Sequence, residues 1–265
     1  MKIAFFECKE EEKSFFESNL QEHTLFFFEE TIQDALTQDE SYKIVSVFVH
    51  SRINDALLDK LPKLQYLQTR STGYDHLKCK ALYARGLKVS NVAGYAGPAV
   101  AEFAFSLLLN ATRKTHTALA RSKQEESSYL DLKGVELFGK TIGIIGLGTI
   151  GLHMASIAKG FGMRVLGYSR THKAAFKTLG IEFVSLEEVL GHADVLMLAV
   201  PLTPATTNLI NRDNSRLLKD SCIIVNIARN EIMESSLYQT LPHTIACDID
   251  HNMSLLTQPL CTKST

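Results

Sequence analysis

Two stretches of the chain share a rhythm in which short, continuous apolar runs alternate with longer segments carrying apolar residues every three or four positions. In the first, the runs at 3–6, 25–28, 44–49, 66–69 and 87–92 predict strands, and segments such as 10–20 and 53–61 predict helices. The second opens at Thr141 and repeats the theme with 164–169, 181–184, 194–200, 222–228 and 244–249. Such alternation implies a parallel sheet with helices on both faces. The chain is therefore expected to form two doubly wound α/β domains, over 1–97 and 98–265.

Between the two sets, residues 98–119 place Val100, Phe103, Phe105, Leu107, Leu108 and Leu109 on nearly every side of one predicted helix. So apolar a helix must be covered. It reads as the element crossing between domains and as a homodimer surface, or equally as a plain core helix. The polar run 124–133 has no apolar period and reads as a loop.

The second set begins with Thr141-Ile142-Gly143-Ile144-Ile145-Gly146-Leu147-Gly148-Thr149-Ile150-Gly151, an apolar strand that empties into G-x-G-x-x-G and then turns helical. Gly146 permits the tight turn, Gly148 leaves no side chain between backbone and a pyrophosphate, and Gly151 lets the helix pack close to the sheet. The helix start at Thr149 and Ile150 offers unpaired N–H groups and the positive end of the dipole to the phosphates. This is the signature of a Rossmann dinucleotide site, which makes the preceding domain the substrate domain, flavodoxin-like in pattern.

Composition narrows the partners. At 265 residues and 45% hydrophobic, the chain can bury ordinary cores. Lys+Arg 28 against Asp+Glu 29 leaves a net charge of −1, so nothing in the charge balance argues for nucleic acid or membrane, and a small molecule is the expected ligand. Cys8, Cys79, Cys222, Cys247 and Cys261 are odd in number and form no C-x-x-C pair, against both a disulfide framework and a zinc site. Met1-Lys2 leads directly into a strand-like run, and no apolar stretch is long enough to span a bilayer, so a cytoplasmic location is expected.

Several further segments converge. Arg70-Ser71-Thr72-Gly73-Tyr74-Asp75-His76, Asn91-Val92-Ala93-Gly94-Tyr95, Ala99-Val100-Ala101-Glu102-Phe103, the glycine motif, Val200-Pro201-Leu202-Thr203-Pro204-Ala205-Thr206 and Val225-Asn226-Ile227-Ala228-Arg229 resemble, in order and spacing, the D-isomer-specific 2-hydroxyacid dehydrogenases, with the flavour of the D-lactate dehydrogenase branch. The resemblance implies hydride transfer between a nicotinamide, NAD or NADP, and a small 2-oxo or 2-hydroxy acid. It implies that Thr72 and Gly73 present backbone N–H groups to the substrate carboxylate. Arg229 would pair with carboxylate and carbonyl, a role that suits a planar guanidinium, though a surface salt bridge is the other reading. Pro201 would border the cofactor, and Asp248 would contact the nicotinamide carboxamide unless it only caps a turn.

Cofactor preference turns on the end of the strand 164–169. A carboxylate there bonds the ribose hydroxyls of NAD, whereas an arginine accommodates the NADP phosphate. Here Ser169 and Arg170 are followed by Thr171, His172 and Lys173, so NADP is expected to be at least tolerated unless the run is only a solvated basic helix start.

The pattern then departs from the family. Its mechanism uses a histidine as acid/base and a glutamate that orients it. Here Met253 falls where the glutamate is expected, and the match continues through Gln258-Pro259-Leu260 without reaching the proline–histidine motif. Asn230 follows Arg229 where glycine is common, and Arg229 and Asp248 are closer together than usual. The expectation is a C-terminally shortened dehydrogenase with impaired catalysis. The alternatives are a relocated acid at His50, His76 or His251, the last beside Asp250, or a dinucleotide-binding sensor or scaffold. His116, His153, His192 and His243 read as surface or capping residues.

Overall fold

The structure is a computed structural model that describes the chain except for residues 39, 78–79, 124–130, 172–173, 250–251 and 257–265. Cys79, His172, Lys173, Asp250, His251, Gln258, Pro259, Leu260, Cys261 and most of the polar run 124–133 thus lie outside the described residues. The chain divides into two units, Met1–Tyr95 and Ala96–Thr265. None of the helices among the described residues is long and apolar enough to cross a membrane.

The first unit contains strands β1 (Lys2–Phe5), β2 (Thr24–Phe27), β3 (Ile44–Val47), β4 (Tyr66–Thr69) and β5 (Lys88–Ser90). Helices α1 (Glu10–Asn19), α2 (Ile32–Ala35), α3 (Asp55–Asp59) and α4 (Lys80–Ala84) connect them. The strands form one parallel sheet in the order β2-β1-β3-β4-β5, the flavodoxin-like order. Side chains alternate across β1: Ala4 and the following Phe6 join a core with Ile32, Leu58 and Leu67, while Ile3 and Phe5 face α1, where Phe5 stacks on Phe16. The sheet order reverses between β1 and β3, and there Glu7 takes a left-handed backbone, φ 54°. Its carboxylate accepts the N–H groups of Phe48, His50 and Ser51, fixing the loop beyond β3.

The second unit contains α5 (Gly97–Arg113), α6 (Thr115–Lys123), β6 (Thr141–Ile145), α7 (Thr149–Gly160), β7 (Arg164–Tyr168), α8 (Ala174–Thr178), β8 (Glu182–Phe183), α9 (Leu186–His192) and β9 (Val195–Leu198). It continues with α10 (Arg212–Ser215), β10 (Ile223–Asn226), α11 (Leu237–Thr240), β11 (Thr244–Ile249) and β12 (Asn252–Leu256). The order β12-β11-β10-β9-β6-β7-β8 is the doubly wound 3-2-1-4-5-6 arrangement, with β12 added antiparallel along β11. Several apolar runs outlast their strands. After Leu198 and Asn226 the chain leaves the sheet, carrying Val200 and Ala228 into the loops at its carboxyl edge.

The predicted helix over 98–119 is two helices. Lys114 adopts φ 52°, ψ 34°, its N–H capping Asn110 O, and the chain restarts as α6. Nor is α5 apolar all round. Ala101, Ala104, Phe105 and Leu108 enter a core shared with Met154, Ala155 and Ala158 of α7, while Glu102 and Ser106 are exposed. The helix finds its cover within its own unit.

Asp194 joins the starts of three strands. Its carboxylate accepts the Thr141 N–H at 2.8 Å and pairs with Lys219 Nζ at 2.9 Å, while its carbonyl accepts the Ile223 N–H. Burial opposes ionisation, but the Thr141 N–H and the Lys219 ammonium outweigh it and hold this carboxyl below the usual range. The resulting stability is present above the unfolded-state pKa and is lost as pH falls through the lower folded value. Asp194→Asn is therefore expected to cost about 1–3 kcal/mol at neutral pH, with the difference from wild type shrinking below about pH 4. Urea unfolding across that range checks it; a pH-independent difference would contradict this origin.

Candidate functional site

The turn after β6 is built on missing side chains. Gly146 sits at φ 102°, and a Cβ there would lie 2.5 Å from Ala199 O. A Cβ on Gly151 would be driven into the Gly146 carbonyl, so α7 can start this close to β6 only with glycine at that position. Gly148 differs: a Cβ added to it meets no protein atom within 4 Å. Gly148 is also the N-cap of α7 and supplies no capping side chain. The first-turn N–H groups of Thr149, Ile150 and Gly151 lack intrahelical acceptors, as at any helix start, and the helix dipole adds positive potential. This end of α7 lies where the sheet order reverses, between β6 and β9, the position at which doubly wound sheets take ligands.

A cavity of about 470 Å³ opens beside this turn. Its wall brings together Gly146, Gly148, Ser169, Arg170 and Pro201, all singled out in the sequence. Thr149, Ile150 and Gly151 belong to the adjoining first turn of α7, and Asp248 stands exposed on β11; none of these four lines the cavity. Ser169 is half-buried, and the exposed Arg170 has no partner among the described residues. Ala205, Thr206 and Leu209 complete the wall. None of these three is assigned a site role from the sequence, although Ala205 and Thr206 belong to the segment 200–206; the loop folds back through the Thr206 hydroxyl, which donates to Pro201 O at 2.6 Å and accepts the Thr203 N–H at 2.8 Å, and through the Thr206 and Thr207 N–H groups on Thr203 O.

Arg229 is exposed three residues beyond β10, with Nη1 donating to Ala228 O at 2.8 Å. Asn230, in the place of the expected glycine, is not among the residues of positive φ, so its side chain carries no backbone strain. In the first unit, Thr72 Oγ1 donates to Val92 O, Asn91 Nδ2 donates to Thr72 O, and Ser71 Oγ donates to Gly73 O. The Thr72 and Gly73 N–H groups have no acceptor among the described residues. His76 is buried, with Nε2 3.0 Å from Thr69 Oγ1; His50 is exposed, its N–H held by Glu7. Burial pushes the Cys222 and Cys247 thiols up to about 12, so neither is a nucleophile at neutral pH.

Residues 105–244 match the family described as D-isomer specific 2-hydroxyacid dehydrogenase, NAD binding domain. The chain is 33% identical over 243 residues to a D-lactate dehydrogenase of Escherichia coli, a match covering 89% of this chain and 73% of that protein. It is 38% identical over 192 residues to a glyoxylate reductase of Thermococcus kodakarensis, covering 69% of this chain but only 58% of the relative. Among solved structures, a D-lactate dehydrogenase from Aquifex aeolicus, complexed with NAD and lactic acid, superposes with a TM-score of 0.86 at 28% identity, covering 94% of this chain and 77% of that one.

The open side of Gly148 separates folding from binding. Gly148→Ala is expected to change stability by no more than about 0.5 kcal/mol, yet to weaken NADH binding at least about tenfold by placing a methyl where the pyrophosphate would approach. Thermal unfolding and nicotinamide fluorescence titration measure the two effects, and unchanged NADH affinity would show that the turn is no phosphate cradle.

Proposed function

The chain belongs to the D-isomer specific 2-hydroxyacid dehydrogenase family, and on that premise we propose that it binds NAD(H) or NADP(H) over the amino end of α7 and presents a small 2-oxo or 2-hydroxy acid to it. The observation that carries this reading is the turn itself, where Gly146 and Gly151 are required by the fold while Gly148 faces open space beside a cavity. The nicotinamide supplies the hydride chemistry. Arg229 grips the carboxylate and polarises the carbonyl as charge develops on its oxygen, and the N–H groups of Thr72 and Gly73 are donors suited to a substrate carboxylate.

Reduction of a 2-oxo acid also consumes a proton, and the resemblance assigns its delivery to a histidine oriented by a glutamate. In this chain the glutamate position is Met253, on β12 and in register with Asp248. A thioether can neither hold a charge nor tune an imidazole. We therefore propose that the chain binds its ligands but turns over slowly, by a factor of about 10²–10⁴ relative to an assisted reaction. Assays with pyruvate, glyoxylate and hydroxypyruvate test this; ordinary enzymatic turnover with any of them would refute impairment. A homodimer belongs to the same proposal, with Leu119 of α6 and Phe138, 65% and 79% exposed, as apolar side chains that a second copy would cover. Sedimentation as a monomer at micromolar concentration would count against it.

For the cofactor, the proposal is that NADPH binds at least as well as NADH. What supports it is Ser169 in the carboxylate position and Arg170 on the cavity wall, without a partner among the described residues. Ser169→Asp is expected to shift preference toward NADH by about 1–3 kcal/mol, through new acceptors for the ribose hydroxyls and repulsion of a 2′-phosphate. Arg170→Ala should weaken NADPH more than NADH. Equal losses for both cofactors in fluorescence titrations would leave Arg170 a solvated surface charge.

A further inference from the structure

We propose that Tyr238 is a positioning residue for Arg229, its hydroxyl closing a hydrogen-bonded frame that holds the arginine backbone in its binding conformation. The inference rests on the reading of Arg229 as the carboxylate-binding residue. Arg229 lies in neither helix nor strand: its backbone is extended, φ −146° and ψ 154°, between the end of β10 and a short 3₁₀ turn over Asn230–Ile232. A residue outside regular structure is held only by what its neighbours bond to.

The frame is built on Asn226, the last residue of β10, which is completely buried. Its Oδ1 accepts the Ala228 N–H at 3.0 Å. Its Nδ2 donates to Arg229 O at 3.0 Å and to Tyr238 Oη at 2.8 Å. The Tyr238 hydroxyl in turn donates to Asn230 O at 3.2 Å. The Arg229 carbonyl is thus held by the Asn226 amide together with the Ile232 N–H, and the Asn230 carbonyl by the Tyr238 phenol together with the Met233 N–H at 3.1 Å. Both amide hydrogens of Asn226 are used, so that amide has no spare donor to take the place of the phenol.

Tyr238 is well placed to act as a fixed post. It rides on α11, whose Leu237 is buried in the core, and its ring packs against that core. Burial raises its phenol well above the ordinary tyrosine range, so the hydroxyl stays protonated and remains a donor. Among the described residues, both hydrogen bonds of the hydroxyl go to Asn226 and Asn230. A phenylalanine would fill the same space without them. Bidentate recognition of a planar carboxylate depends on angle as well as distance, so loosening the backbone beneath Arg229 is expected to act on carboxylate binding and to spare the dinucleotide.

The test uses oxamate, an unreactive analogue of a 2-oxo acid, titrated into the NADH complex of the full chain and followed by nicotinamide fluorescence. Tyr238→Phe is expected to weaken oxamate about tenfold while NADH affinity stays within about twofold. Arg229→Gln should weaken oxamate further, and adding Tyr238→Phe to it should have no additional effect on oxamate, although the thermal midpoint still falls. If Arg229→Gln weakens oxamate but Tyr238→Phe only lowers the thermal midpoint, the positioning role is wrong and the reading of Arg229 stands. If Arg229→Gln leaves oxamate unchanged, or the wild type binds none, that reading fails and the role of Tyr238 falls with it.

Discussion

The second unit depends on how closely α7 can approach β6, and that distance is set by two absent side chains. A Cβ on Gly151 would run into the Gly146 carbonyl, and Gly146 itself needs a left-handed backbone to turn the chain beneath the Ala199 carbonyl. Because the approach is allowed, Met154, Ala155 and Ala158 of α7 reach the core that α5 also enters, and Phe105 of α5 stacks on Phe161 just beyond α7 at 5.6 Å. The same approach brings the positive end of α7 to the point where the sheet order reverses. Packing and the proposed binding therefore share one constraint, and of the three glycines Gly148 is the one whose missing side chain packing does not require.

The first unit meets a comparable problem differently. Where its sheet order reverses, the N–H groups of Phe48, His50 and Ser51 are taken by the carboxylate of Glu7. The half-buried Arg70 donates to the carbonyls of Phe6 and Glu7 and so holds the other side of the turn. In one unit the backbone donors at the switch point are consumed by the fold; in the other, the first-turn donors of a helix have no intrahelical acceptors. That contrast supports the proposal of an anion site in the second.

Much of this was legible in the sequence, because strand cores are written as continuous apolar runs and the glycine spacing has a steric cause. Strand ends were not: the apolar runs through Val200 and Ala228 continue into loops that line the carboxyl edge. The break at Lys114 carries neither glycine nor proline to announce it. β12 depends on antiparallel pairing with β11, a long-range fact that no local period records. In the site, Gly146, Gly148, Ser169, Arg170 and Pro201 were readable from motif and position. Thr206, Ala205 and Leu209 reach the cavity through a loop that the Thr206 hydroxyl and backbone bonds to Thr203 O fold back, and Tyr238 meets Asn226 across twelve positions of sequence. Motifs mark residues that touch a ligand more readily than those that hold them in place.

The amino end of α7 is proposed to receive the pyrophosphate of a nicotinamide dinucleotide. The most direct measurement is a crystal structure of the protein grown with NADPH. The account predicts a pyrophosphate lying over Gly148, with its oxygens about 3 Å from the Thr149 and Ile150 N–H groups, and the adenosine 2′-phosphate beside Arg170. A dinucleotide bound away from this turn, or an empty turn at saturating NADPH, would contradict it.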